Sequence, residues 1–445
     1  MFRLNLANRN LFPQLALIFS IGFLTRFMWF FLPHAHPGGD YYHLAANLLK
    51  GHGLTMSSSP PYIPSTIRGP LYPLFIALIV KIFGDQPNIV FIMQALLSVF
   101  NCLLTFLLGR YLFNQKVGFW AGLIYALHPY PGLWDVVYAP ESLCAFFLLC
   151  AFFFLAKWRQ ESKLQYLITS GILFACSALT RPDYLLLGGF VLPILILVKG
   201  LRQACRAFVP FLLVFSLAIL PWTLRNYVAT RLFIPIAEGQ MGQLFFATTE
   251  PLYNQKLHPL QQSEVVHQKY PMLKQYFEAF FNTDPQAQNQ IHSIEREFIR
   301  LGIENVKEHP IEYLLSRLKE LPYLWIESGN YIVEPFLPGF SKYSWDVLLK
   351  DPGKDGKTVG ILWLKAFILF LVCLFPYSLA IWGVYVHRKE TNKIIFLLTI
   401  PLYITLIHIP FWIDYKYSLP GFPYVFILVG VGIASLSRCE SSALG

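Results

Sequence analysis

Acidic and basic side chains set at the edges of apolar runs are the residues in this sequence that could do chemistry, and they gather in four short segments. The first is Gly38-Gly39-Asp40-Tyr41-Tyr42. A carboxylate held where a surface helix meets a membrane span can serve as a general base. The same position suits a helix cap, which needs only a short polar side chain. The second is Arg68-Gly69-Pro70-Leu71-Tyr72-Pro73. A planar, always-charged guanidinium is suited to a phosphate, and Arg also snorkels to interfaces with no further role. The third runs from Trp134-Asp135 to Pro140-Glu141. Both acids fall at span ends, where capping or solvation is the plain explanation, and for Glu141 the expected one. The fourth is Pro221-Trp222-Thr223-Leu224-Arg225-Asn226, with Arg225 where a span emerges.

These residues need a scaffold that holds them at one boundary, and the composition points to it. Of 445 residues 55% are hydrophobic and 13% charged, and the mean hydropathy is +0.49. A soluble domain carries roughly 25% charged residues. Half that density cannot wet the surface of so long a chain, so much of the surface must face lipid. Aromatic residues lie at the ends of many apolar runs, as interfacial belts do. The formal charge of +10 is spread over short loops, which fits membrane topology and gives no block suited to nucleic acid. The seven Cys include no CxxC pair, and none falls in a segment placed outside, so neither a disulfide framework nor a zinc knuckle is expected.

The spacing predicts an all-α integral membrane protein. The first span is expected from about Pro13 to Leu32, with Arg3 and Arg9 holding the N-terminus in the cytoplasm. It contains Trp and no small-residue cleavage site, so it reads as a retained span. A polar loop follows, from Pro33 to Arg68. Within it Tyr41, Leu44, Ala45, Leu48 and Leu49 form one stripe of a short amphipathic surface helix, which Gly51 and Gly53 end. The segment from Pro70 to Phe83 is short, and the positive loops fall in register when it is interfacial or re-entrant, so the first outer loop covers 33–86. Further spans are expected near 87–109, 117–133, 139–156, 166–180, 184–199 and 207–223. This register places Lys157, Arg159, Lys163, Lys199, Arg202, Arg206, Arg388, Lys389 and Lys393 inside. The stretch 224–359 is too polar to span and too long for an idle loop. It reads as a mainly helical outer subdomain, with a helix over 286–308 that shows Ile291, Ile294, Phe298 and Leu301 at helical spacing. Spans near 361–386, 394–411 and 418–436 make about ten, with both termini inside. The chain thus divides into 1–223, 224–359 and 360–445.

In this topology the long loops, Pro-rich turns and span-end acids all lie outside, and the chemistry is expected there. Arg68, Arg181, Arg225 and Lys416 stand on the side where basic residues are scarce, which points to an anion held at the outer face. His34, His36 and His43 lie beside Asp40, so a divalent metal is open on ligand type. Exposed loop histidines are commonplace, and no metal or cofactor is assigned.

Taken in order, these pieces resemble the polyprenyl-phosphate-dependent glycosyltransferases of the GT-C superfamily. They are most similar to the bacterial branch of the protein O-mannosyltransferases and to the aminoarabinose transferases of lipid A. The matching pieces are Asp40-Tyr41, Arg68-Gly69-Pro70-Leu71-Tyr72-Pro73, Gly109-Arg110-Tyr111-Leu112-Phe113, Thr180-Arg181-Pro182, Pro221-Trp222 with Arg225-Asn226, and Tyr415-Lys416-Tyr417-Ser418-Leu419-Pro420. The resemblance implies seven N-terminal spans, surface helices after the first, and a large outer loop after the seventh. It implies a polyprenyl-phosphate sugar as donor and a lipid, glycan or protein hydroxyl as acceptor. Asp40 and Asp135 would match the family's acids in the first and second outer loops. Arg68 and Arg225 would approach the lipid phosphate, with Arg181, Lys416, Tyr41 and Tyr72 also on the donor side and Glu141 and His43 toward the acceptor. Two departures stand out. Tyr41 follows Asp40 where a protein O-mannosyltransferase usually has Glu, and Ile67 precedes Arg68 where the aminoarabinose transferases have an acid.

The chemistry fits this set. A carboxylate takes the acceptor proton as its oxygen attacks the anomeric carbon, and guanidinium groups stabilise the departing phosphate. A monophosphate leaves with less charge than a nucleotide diphosphate, so Arg residues could suffice without a metal. The expected setting is a bacterial inner membrane, with the site on its outer face. The rival class is a transporter or flippase of lipid-linked sugars. Such proteins place acids near the bilayer midplane and show repeated halves, whereas here the span middles hold almost no Asp or Glu.

Overall fold

The computed structural model describes residues 11–31, 39–238, 242–253, 285–327, 333 and 356–443. Within them the chain is helical, and the β content is an isolated bridge between Thr55 and Pro64. Seven helical stretches are long and apolar enough to cross a bilayer: Leu11–Phe31, Pro87–Leu112, Glu141–Glu161, Leu201–Thr230, Val359–Val386, Arg388–His408 and Tyr415–Leu436. Leu71–Phe83, Leu164–Thr180 and Pro182–Leu197 are shorter apolar helices. The chain is a multi-pass membrane protein.

The N-terminal helices are α1 (Leu11–Phe27), α2 (Gly39–Leu49), α3 (Leu71–Phe83) and α4 (Pro87–Leu112). The surface helix read from the sequence is α2, and Gly51 and Gly53 just beyond it both have positive φ. The short apolar segment is α3, stopped by Gly84, also at positive φ. Asn114 opens α5 (Gln115–Leu127), its side chain accepting from the Val117 amide. The span expected over 117–133 is not one helix. Pro129 offers no N–H and pushes His128 into an extended conformation, so α5 ends there and α6 (Pro129–Asp135) starts afresh. Next come α7 (Glu141–Glu161), α8 (Leu164–Thr180) and α9 (Leu187–Lys199). The span expected over 207–223 is the middle of α10 (Leu201–Thr230). Of the ten expected spans, seven therefore have the full length, two are shorter helices and one is broken by proline.

The polar stretch after α10 includes α11 (Gly242–Tyr253), α12 (Pro285–Glu308) and α13 (Pro310–Glu320). The helix expected over 286–308 is α12. Phe298 stacks on Phe245 at 4.9 Å, and Asn305 Nδ2 donates to Thr248 Oγ1 at 3.0 Å, fastening α12 to α11. Much of 224–359, namely 239–241, 254–284, 328–332 and 334–355, lies outside the described residues. The last spans are α14 (Gly356–Leu369) joined to α15 (Phe375–Val386) by a wide π turn before Pro376, then α16 (Thr391–His408) and α17 (Phe422–Ala443).

Between spans there is no hydrophobic push, so close backbone packing holds them together. A Cβ on Gly432 of α17 would run into the Leu379 carbonyl of α15, and one on Gly383 of α15 into the Leu428 carbonyl of α17. These contacts bring α15 and α17 close enough to dock the C-terminal spans onto one another. The wholly buried Tyr424 and Phe426 of α17 then pack on Phe152 of α7 and Tyr125 of α5, respectively, tying both ends of the sequence into one bundle.

Candidate active site

Asp40 stands in the first turn of α2, where the helix dipole favours an acid. Its carboxylate is turned to Arg68, whose Nε donates to Oδ2 at 2.6 Å. The Asp40 side chain is 9% exposed and that of Arg68 34%. The Arg68 guanidinium also lies over the Tyr41 ring at 5.0 Å, and Tyr41 meets Tyr72 of α3 edge-on at 4.8 Å. Burial pushes the Tyr41 hydroxyl up to about 12, and that hydroxyl feels Arg68, Asp40, Glu141 and Arg181 together. Tyr41 therefore stands among residues drawn from four distant parts of the sequence.

The loop carrying Arg68 is fastened at several points. Asn47 of α2 donates to the carbonyls of Thr55 (2.7 Å) and Ser57 (3.2 Å). The Thr66 hydroxyl donates to Glu238, 2.7 Å away. Gly69 lies so close to the end of α8 that a Cβ there would strike the Leu179 carbonyl. This contact seats Arg68 beside the Thr180-Arg181 turn.

The second half of the site is an ionic cluster. Arg181 donates through Nη1 to Glu141 Oε1 at 2.8 Å and grips Asp183 with Nε (3.2 Å) and Nη2 (2.9 Å). His408, at the end of α16, lies 3.7 Å from Asp183 and stacks on Tyr417. Lys416 faces Asp414 at 3.5 Å, and its ammonium lies over the Trp134 ring at 5.4 Å. Glu141 is within reach of the Lys416 charge. Lys416 is 32% exposed, close to the exposure of Arg68.

Three of the expected residues have partners within the protein. Arg225 stands at the base of the loop that carries Arg68. It donates to the carbonyls of Ser65 (2.6 Å) and Leu54 (3.0 Å) while stacked on Trp222, so it clamps the base of the Arg68 loop. Arg181 is enclosed by two carboxylates, those of Glu141 and Asp183. Asp135 is enclosed by the protein. It is 1% exposed at the end of α6, and Oδ1 accepts from the Ser142 hydroxyl. Burial pushes its carboxyl up to about 7. Gln94 links the two regions, accepting from the Tyr72 hydroxyl and donating to the carbonyls of Asp135 and Val137. His43 is exposed on α2. His34 and His36 lie outside the described residues, and among the described ones no group of three His, Cys, Asp or Glu is set to hold a metal.

Several contributors escaped the sequence reading, His408 and Asp414 of the ionic cluster among them. Asp183 sits two positions beyond Arg181, and that spacing alone could have flagged it. Arg26 is wholly buried in α1. It donates to the carbonyls of Tyr125 (2.8 Å), Ala126 (2.7 Å) and His128 (3.2 Å), the acceptors left at the end of α5. An Arg inside an apolar run was its signal.

Residues 67–224 match a family model described as dolichyl-phosphate-mannose-protein mannosyltransferase. No curated protein sequence matches the chain. The structure superposes on the archaeal oligosaccharyltransferase AglB from Archaeoglobus fulgidus, solved with an inhibitory peptide and a dolichol-phosphate. The TM-score is 0.52 at 13% identity, covering 97% of this chain and 52% of that one. The apo form of the Archaeoglobus fulgidus oligosaccharyltransferase gives 0.53 at 13% identity, covering 99% and 53%. ArnT from Cupriavidus metallidurans bound to undecaprenyl phosphate gives 0.42 at 12% identity, covering 96% and 78%, too loose a match to carry weight. This chain spans about half the length of the oligosaccharyltransferase chains.

Proposed function

From the GT-C fold that this chain carries, we propose that it is a membrane glycosyltransferase. It moves a sugar from a polyprenyl-phosphate donor to a hydroxyl of a lipid, glycan or protein, at the outer face of a bacterial inner membrane. The observation that carries this reading is the Asp40–Arg68 pair, set against Tyr41 within reach of Glu141 and Arg181. The mannosyltransferase family match over 67–224, which includes Arg68, and the dolichol-phosphate held by the AglB structure support a lipid-phosphate donor.

Asp40 takes the proton of the acceptor hydroxyl as its oxygen bonds to the anomeric carbon. The bond from that carbon to the phosphate oxygen breaks, and the polyprenyl phosphate leaves with the electron pair. Before reaction the Asp40 carboxylate balances Arg68. Once Asp40 is protonated, the Arg68 charge passes to the growing phosphate charge, so one guanidinium serves both states. Lys416, similarly exposed, supplies a second cation at the same end of the bundle. Arg181 and Arg225 act as positioning residues, Arg181 holding Glu141 on the acceptor side. The apolar tail of the donor lies between spans.

The test is to incubate the purified chain in vesicles with a polyprenyl-phosphate sugar and hydroxyl acceptors, and to follow free polyprenyl phosphate by mass spectrometry. Release that depends on acceptor supports transfer. Donor that crosses the bilayer without being consumed would replace this reading with a flippase.

A further inference from the structure

The helix α13 is amphipathic in the inverted sense. Ile311, Leu314, Leu315 and Leu318 recur at helical spacing on one face, and all four are exposed, at 69%, 54%, 60% and 55%. The face turned into the protein is polar. Tyr313 and Ser316 are partly covered there, and Arg317 is buried. A helix in water places these faces the other way round, since burying its leucines is what holds it in place.

Its anchors fix its height. The Tyr313 hydroxyl donates to the Pro410 carbonyl at 2.9 Å, and Arg317 Nη1 donates to the Phe411 carbonyl at 3.2 Å. Both acceptors follow directly on the end of α16, a helix that crosses the bilayer and turns Leu402 and Leu406 outward. Beyond α13 the chain enters the bundle, where Trp325 Nε1 donates to Thr405 at 3.0 Å. The exposed stripe is therefore held at the boundary where a span leaves the hydrocarbon. Glu312 and Lys319 flank it, and Tyr323 follows, as on helices that lie in an interface.

We propose that α13 lies in the membrane leaflet on the site's side, with Ile311, Leu314, Leu315 and Leu318 among lipid acyl chains. It anchors α11 and α12 to the bilayer at the end of the bundle where Asp40, Arg68 and Arg181 gather. The occupant of the apolar face is lipid, and the inference rests on the membrane-spanning architecture, independent of the sugar-transfer reading.

A photo-crosslinking benzoylphenylalanine placed at Leu314 or at Leu318 in the full chain tests this, in vesicles of phosphatidylethanolamine and phosphatidylglycerol. Illumination is expected to give adducts of phospholipid mass at both positions and none at Glu304, a polar position of α12. Crosslinks to a second copy, or to another segment of the same chain, would overturn the proposal, as would the absence of lipid adducts. The paired variant L314S and L318S is expected to speed amide exchange over 310–327 while the spans keep theirs. Unchanged exchange there counts against lipid anchoring.

Discussion

Arg68 and Arg225 look equivalent in the sequence, each a basic residue at the edge of an apolar run, and the structure gives them different partners. Arg68 faces Asp40 and remains a third exposed, whereas Arg225 spends its donors on the carbonyls of Leu54 and Ser65. Arg68→Ala is expected to weaken donor binding and turnover directly. Arg225→Ala is expected to do so through the loop, so amide exchange over 51–68 should rise in Arg225→Ala and stay near normal in Arg68→Ala. Equal exchange in both would erase the distinction. Asp135 gives a prediction in pH. Its folded value near 7, against an ordinary 3.8, means that from roughly pH 4 to pH 7 the folded chain keeps a proton that the unfolded chain releases. Stability is then lost as pH rises through that window. Asp135→Asn removes the titration, so its melting temperature should hold up better than the wild type between about pH 5 and pH 8. Parallel curves would contradict the burial argument. Residue type and position at a span end nominate Asp40, Arg68, Tyr41 and Tyr72, and the structure brings these four into contact. The work of Arg225 was not legible, because its acceptors lie 160 and 171 positions away and carbonyls leave no mark in a sequence.

At the level of elements, the site depends on one contact between the Arg68 segment and the end of α8. A Cβ at Gly69 would meet the Leu179 carbonyl, which is backbone and cannot swing aside. Gly69→Ala is expected to cost roughly 1–3 kcal/mol, the usual range for overpacking. It should also lower turnover by displacing Arg68. A thermal melt with a transfer assay checks both, and a variant with wild-type behaviour would mean the segment adapts freely. The helices themselves were largely readable, since α2, α3 and α12 fall where periodicity and glycine or proline signals put them. The break between α5 and α6 was missed although Pro129 and Pro131 are in plain sight. Averaging apolar character over a span hides a single residue that lacks an amide. Arg26 was missed for the same reason, although its donors are what the freed carbonyls of α5 require.

Across the whole molecule, Arg181 joins α7, the turn after α8 and, through Asp183 and His408, the end of α16. Removing it leaves two buried carboxylates without their cation, a loss of roughly 3–5 kcal/mol. Arg181→Ala should therefore lower the melting temperature sharply. Arg300→Ala, which breaks exposed pairs with Glu297 and Glu304, should barely move it. Similar melts for the two would remove the cluster as a tie between the ends of the chain. The sequence indicated that charges gather on one side, because basic loops fix topology. It did not indicate which charges neutralise one another, since that depends on how distant helices pack. What survives that pairing is the partly exposed Asp40–Arg68 couple, and the most direct measurement is the turnover of purified Asp40→Asn with a polyprenyl-phosphate sugar. Asn can still accept the Arg68 hydrogen bond and suit the first turn of α2, but it takes no proton at neutral pH. The variant should fold, insert and bind donor, yet lose roughly 10²–10⁴-fold in turnover, while Asp135→Asn stays active. Near-normal turnover in Asp40→Asn would contradict the assignment of Asp40 as the base.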